Sequence, residues 1–323
     1  MTETAEACDL TYFALAATAA KETVRETPRQ APGELPDVLG GRYKIERLLG
    51  VGGMGAVYRA RDLLREQFGD PEPYVALKTL SDDFAEYPDA NALLYSEFAL
   101  TSRLNHRHVV RLFGFEVDTA CERAFITLEL MRGLTLDQLL CERPEGLPWE
   151  ELRDIAIPLL DALAYSHELG VLHGDLKPSN VMLADDGLRL FDYGLGQPVE
   201  GLLPGLPRLC RNRIAAWTPR YAALELLEGA ALSAAADVYA VACVLVELAS
   251  GQHPFRRLSA KQAKSMELDK QLQRPAQVPL HCWQALRTAL AFEESQRQID
   301  CSELLDAFRR PPASRLQRWL GKA

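Results

Sequence analysis

No run of lysines and arginines stands out in this chain of 323 residues, whose formal net charge is −9 at a pI of about 5.3. A sequence-independent nucleic-acid binder needs a concentrated basic face to replace counterions. Isolated pairs such as Arg309-Arg310 read as solvated surface, so no nucleic-acid partner is expected. Cysteine is sparse: Cys8, Cys121, Cys141, Cys210, Cys243, Cys282 and Cys301 form no C-x-x-C pair. That excludes a zinc-ribbon site and a disulfide framework, and it fits a reducing, cytoplasmic setting. Long apolar runs are missing too. The longest, Tyr239–Val246, ends at Glu247 and reads as a buried helix, far short of a membrane span. Glu3, Glu6 and Asp9 stand where a secretory signal would be basic. Neither an internal repeat nor a low-complexity tract is present.

What remains is the composition of a soluble globular protein, 48% hydrophobic and 25% charged, enough for one large domain or two lobes. Residues 1–40 read as a partly disordered extension, polar and broken by Pro28, Pro32 and Pro36, with a short helix at 8–20. From Tyr43 the pattern is strand, glycine cluster, strand, then a loop (QFGDPEP) and a third strand, YVALKTL. Residues 88–105 have helical spacing, with Leu94, Phe98, Thr101 and Leu104 on one face. Two more strands follow, and after Gly133 the chain is mainly helical, with Pro158 expected to kink its second helix. The order predicts an α+β fold: a small antiparallel sheet with one helix (about 41–131), a larger helical lobe (about 132–310), and a cleft between. Residues 311–323 form a short tail with Leu316, Trp319 and Leu320 at helical spacing.

Several motifs carry chemistry. Gly50-x-Gly52-x-x-Gly55-x-Val57, flanked by Leu49 and Val51, is by itself as compatible with a plain turn as with a phosphate loop. Because alternation resumes at once, the loop caps a hairpin, where glycines let backbone N–H groups close over phosphates. Lys78, in the apolar run Val75-Ala76-Leu77, needs an anion. A phosphate or the Glu97 carboxylate on the next helix would serve; a strand-edge lysine in water is the plain alternative. Leu128–Met131 offers backbone groups, at Glu129 and Met131, to a purine edge. Further on, His173-Gly174-Asp175-Leu176-Lys177-Pro178-Ser179-Asn180 is a dense polar loop. Asp175 suits a proton acceptor, Lys177 a phosphoryl neutraliser, and Asn180 and Asp192 a hard cation.

Taken together, these motifs resemble the eukaryotic-type (Hanks-type) serine/threonine protein kinases, and the GGMGAVY loop is most like bacterial members. The resemblance implies ATP and Mg²⁺ (or Mn²⁺), protein substrates and a cognate phosphatase. It implies that Gly50, Gly52 and Gly55 cover the phosphates, with Leu49, Val51, Val57, Ala76 and Met182 around the nucleotide. Lys78 and Glu97 pair, Asp175 is the catalytic base, Lys177 assists it, and Asn180 and Asp192 hold metal. Thr218 belongs to the substrate-side loop, Asp237 braces the catalytic loop, and Arg297 pairs with Glu225.

Some residues depart from the family pattern. Tyr193 replaces phenylalanine after Asp192, Leu224 replaces proline before Glu225, and Trp217 replaces glycine before Thr218. Gly174 stands where many members carry an arginine that pairs with a phosphate on the activation loop. That loop, Leu195–Trp217, contains no Ser, Thr or Tyr. With receptor and target both absent, the loop is expected to be held by apolar contacts of Leu202, Leu203, Leu206 and Leu209 instead. A pseudokinase scaffold predicts loss of Lys78, Asp175 or Asp192, and none is lost. A small-molecule phosphotransferase predicts no Lys177 in this context and no Thr218-Pro219-x-Tyr221 segment, yet both are present.

Overall fold

The structure, a computed structural model, describes residues 35–51, 55–80, 90–199, 202–203, 206 and 218–311. Gly52, Leu209, Trp217, residues 1–34 of the extension and the tail from Ser314 lie outside the described residues. The chain forms two compact units.

The first unit is built on one six-stranded antiparallel sheet, in the order β1-β2-β3-β4-β6-β5. Its strands are β1 (Val38–Leu39), β2 (Tyr43–Val51), β3 (Gly55–Asp62), β4 (Tyr74–Leu80), β5 (Leu112–Asp118) and β6 (Arg123–Leu128). Two helices belong to it, α1 (Leu63–Gln67) and α2 (Ala90–Thr101). Alternation along the strands places Leu39, Tyr43, Ala60, Val75, Leu77 and Phe125 in one buried cluster, with Leu35 and Ile45 packed against it. Two local features differ from the sequence expectation. Val38–Leu39, expected within the extension, pairs with Lys44 and Tyr43. Gly40 and Gly41, at φ 59° and 64°, make the tight turn that this pairing needs. In addition, α1 stands just after β3 because Asp62 caps it, accepting from the N–H groups of Leu64 and Arg65 while binding Arg42 at 2.6 Å.

The second unit is mainly helical. Its long helices are α4 (Trp149–Glu168) and α6 (Ala234–Ser250), with α3 (Leu136–Glu142), α5 (Leu224–Leu227), α7 (Ala260–Ser265), α8 (Leu280–Ala289) and α9 (Cys301–Arg309) around them. α6 is buried from Ala236 to Ala249, as its apolar run requires. Pro158 lies inside α4, and the helix continues past it to Glu168. Short strands frame the polar loop: β7 (Gly133–Thr135), β9 (Val181–Ala184) and β10 (Gly187–Leu190) make one sheet, while β8 (Val171–Leu172) pairs with β11 (Gln197–Pro198). Among the described residues no helix is long and apolar enough to cross a membrane.

Candidate active site

In the first unit the β2–β3 hairpin carries the glycine motif. Gly50 sits opposite Val57, and a Cβ on Gly50 would meet nothing within 4 Å. Gly55 is different. A Cβ there would come within 2.0 Å of the Thr79 carbonyl oxygen on β4, so sheet packing alone demands glycine. Leu49 and Val51 are exposed, at 42% and 71%, while Ala76 is buried. On β4, Lys78 lies between Val57 and Ile126 of the neighbouring strands. Its Nζ donates to both carboxylate oxygens of Glu97, at 2.6 and 2.7 Å, and both side chains are largely shielded from water. Partial burial strengthens such a pair well beyond a surface ion pair. At the end of β6, the Glu129 N–H donates to the Arg111 carbonyl at 2.9 Å, and the Glu129 carboxylate accepts from the Arg111 N–H at 2.8 Å. Met131 follows as the last residue of this segment within the first unit.

The second unit holds the polar loop by a buried carboxylate. Asp237 on α6 accepts from the backbone N–H groups of His173 and Gly174, both at 2.8 Å, and lies 3.0 Å from His167 Nε2. Burial alone would raise its pKa. The His167 hydrogen bond, the nearby histidines and the Gly174 N–H outweigh that and lower it. His173 is fully buried, and burial lowers its pKa. Its contacts define the tautomer: Nδ1 accepts from the Asp175 N–H at 3.3 Å, so Nε2 carries the proton and donates to the Phe191 carbonyl at 3.1 Å. Gly174 has φ 76°, a left-handed conformation that a side chain would strain.

Asp175 accepts from Lys177 Nζ at 2.5 Å. Burial raises the Asp175 pKa, against the lowering effect of the Lys177 charge. The Asn180 Nδ2 donates to the Asp175 carbonyl at 2.8 Å, which turns the amide oxygen away from that contact. The Phe191 N–H donates to the Asn180 carbonyl at 3.1 Å, so Asn180 and Asp192 are tied by backbone. Asp192 itself has φ 66°, a region few residues other than glycine adopt. Met182 lies on β9, opposite Arg189 of β10 and Thr135 of β7. Elsewhere in this unit, Arg297 binds Glu225 at 2.7 and 3.3 Å, its side chain wholly buried and its guanidinium 5.2 Å from the Tyr239 ring. Leu224 is 3% exposed, so packing fills the position where proline was expected. The Thr218 carbonyl accepts from the Tyr221 N–H at 3.0 Å, and the Tyr221 hydroxyl donates to buried Glu247 at 2.5 Å.

Residues 43–313 match the family model described as the protein kinase domain. The chain belongs to the protein kinase domain family. Curated relatives agree. The chain is 34% identical over 228 residues to a probable serine/threonine-protein kinase of Streptomyces coelicolor, covering 69% of this chain and 32% of that protein. It is 32% identical over 270 residues to the serine/threonine-protein kinase PkaA of the same organism, covering 80% of this chain and 48% of that protein. The kinase domain described here thus spans about a third to a half of the length of these relatives. A crystal structure of the Mycobacterium tuberculosis PknI kinase domain superposes with a TM-score of 0.62 at 26% identity, covering 87% of this chain and 98% of that one. The protein-kinase fold, with an antiparallel sheet in one unit and helices dominating the other, is the one the motif order implied.

Several residues of this kinase domain were not singled out by motif reading. His167 and Ser166 on α4 and Glu247 on α6 touch motif residues, yet they are distant in sequence. Glu247 stands out as a charge ending an apolar run in α6, whereas Ser166 and His167 are two of many polar residues on amphipathic α4 and carry no such signal.

Proposed function

We propose that this chain is an ATP-dependent serine/threonine protein kinase whose activity does not depend on phosphorylation of the segment Leu195–Trp217. The observation that carries the reading is the polar loop. A largely buried Asp175 lies beside Lys177 Nζ at 2.5 Å, and Asn180 and Asp192 are held close in the chain by the Phe191 N–H to Asn180 carbonyl bond. Asp175 accepts the proton of the substrate hydroxyl as its oxygen bonds to the γ-phosphorus and the bond to ADP breaks. Lys177 offsets charge on the transferring group, and Lys78, oriented by Glu97, holds the α- and β-phosphates. Gly50, Gly52 and Gly55 cover those phosphates, with Leu49, Val51, Val57, Ala76 and Met182 around the base and Glu129 and Met131 along its edge. Since the Glu129 N–H is committed to Arg111, the purine contact from this segment comes from its other backbone groups.

The donor set suits Mg²⁺. Among the described residues no group of three or more His, Cys, Asp or Glu forms a metal cage. Mg²⁺ characteristically takes one or two protein oxygens plus phosphates and water, and the Asn180 amide oxygen and Asp192 carboxylate provide those two. Bound there, it would neutralise charge on the β- and γ-phosphates.

Independence from phosphorylation draws support from the start of the segment. β11 pairs with β8, the Val199 N–H donates to the Gly170 carbonyl at 2.8 Å, and Val199 and Leu202 side chains lie against Gly170. Gly174, at φ 76°, serves backbone geometry rather than a phosphate. Protein substrates, a cognate phosphatase and a cytoplasmic setting complete the reading. The test is transfer from γ-labelled ATP with Mg²⁺ to the chain itself and to a generic basic protein. Label is expected in the wild type, before and after phosphatase treatment, and should fall by about 10²-fold or more in Asp175→Asn and Lys78→Ala. Wild-type protein that binds no ATP would overturn the kinase reading; activity abolished by phosphatase, with Thr218 and residues outside the segment excluded as the cause, would overturn the phosphate-independent part.

A further inference from the structure

Tyr193, directly after Asp192, is completely buried. Its hydroxyl lies 2.8 Å from Oγ of Ser166 on α4, which is equally inaccessible to solvent. Proton counting gives the direction of this bond. A serine hydroxyl has one proton. Ser166 donates its proton to the Ala162 carbonyl, one turn back, at 2.9 Å. Ser166 therefore accepts, and Tyr193 donates. A buried phenol without that acceptor would be left unsatisfied.

The same ring lies 4.6 Å from the His173 ring, centroid to centroid. His173 in turn donates to the carbonyl of Phe191, on the other side of Asp192. Asp192 is thus gripped through both chain neighbours, and it needs to be, because its φ of 66° persists only where the surroundings over-determine it. Packing of an aromatic ring resists its displacement but does little to stop its sliding or rotating. A hydrogen bond at the far end of the ring fixes both depth and angle.

We propose that the Tyr193–Ser166 hydroxyl pair is a positioning device for Asp192, holding its carboxylate in the orientation a divalent cation requires. Tyr193 and Ser166 touch neither metal nor substrate. They act through the backbone of Asp192, as outer-shell partners act on metal ligands elsewhere. The proposal rests on reading Asp192 as a metal ligand.

The test measures metal affinity directly, on the full chain, without turnover. Mn²⁺ binding is followed by electron paramagnetic resonance in the presence of a non-hydrolysable ATP analogue. Wild type is compared with Tyr193→Phe, Ser166→Ala and the double variant. Affinity of the metal-free analogue and the thermal midpoint are recorded alongside. Tyr193→Phe should bind Mn²⁺ about tenfold more weakly, with affinity for the metal-free analogue unchanged. Ser166→Ala should weaken Mn²⁺ binding as well, and the double variant should bind no worse than Tyr193→Phe, since both changes remove one bond. A lower thermal midpoint with wild-type Mn²⁺ affinity in Tyr193→Phe would sink the idea, leaving the pair a purely structural contact. If Tyr193→Phe does not fold, Ser166→Ala decides the matter by the same criterion. Wild-type protein that binds the analogue but no Mn²⁺ would overturn the metal-ligand reading of Asp192 itself, an outcome distinct from unchanged affinity in the variants.

Discussion

The polar loop His173–Asn180 and the segment that begins at Leu195 sit close together in the chain, yet they are held by opposite kinds of force. The first depends on one buried carboxylate, Asp237, which collects two backbone N–H groups and approaches a histidine. The second is held, where it is described, by a two-residue strand pairing and by Val199 and Leu202 against Gly170. A charged anchor is directional and places Asp175 accurately, but losing it leaves buried donors unpaired. An apolar anchor tolerates small changes and needs no phosphate.

Removing the anchors should therefore have unequal consequences. Asp237→Ala, which strands the His173 and Gly174 N–H groups in the core, should cost about 3 kcal/mol or more of stability, read by denaturant unfolding. Equal loss from Asp237→Ala and from a surface alanine substitution would break the comparison.

Acidification separates the loop's Asp175 from its anchor Asp237 on α6. The folded pKa of Asp237 lies below its unfolded value, so the stability it contributes is complete above the unfolded value and is lost as pH falls through the folded one. Asp175 is shifted the other way by burial, so it takes up a proton at a higher pH, and doing so relieves rather than adds strain. On lowering pH, transfer activity should fail while the loop is still folded, and the circular-dichroism transition should come later. Buried His253, pushed down to about 4, adds its own loss of stability as pH falls from about 6.5 towards that value. Coincident loss of activity and fold would contradict this order.

The smallest effect belongs to the apolar anchor. Leu202→Ala removes part of the cover over Gly170 and should cost about 1 kcal/mol. Phosphatase-treated Leu202→Ala should keep most of its transfer activity; a loss approaching that of Asp175→Asn would show that the apolar contact governs catalysis.

Motif residues were legible because their chemistry restricts residue type at short spacing. Lys78 and Glu97 are an example: an isolated cation in an apolar strand needs an anion, and the following helix offered one. Gly55 is legible from the motif as a phosphate-loop glycine, and its tight approach to the Thr79 carbonyl adds a packing reason that the sequence does not show. The edge strand Val38–Leu39 was missed because the polar, proline-rich stretch before it set the local composition, while the Gly40-Gly41 turn signal went unused.

By itself, the sequence determined the order of elements, the family and the identity of the charged groups, since alternation, helical spacing and short polar motifs are local properties of the chain. Only the tertiary structure decided partners that no motif names. Ser166 meets Tyr193 across 27 positions, and Glu247 meets Tyr221 across 26. The physical reason is that burial makes every donor and acceptor seek a partner, while the choice of partner depends on how helices and strands pack.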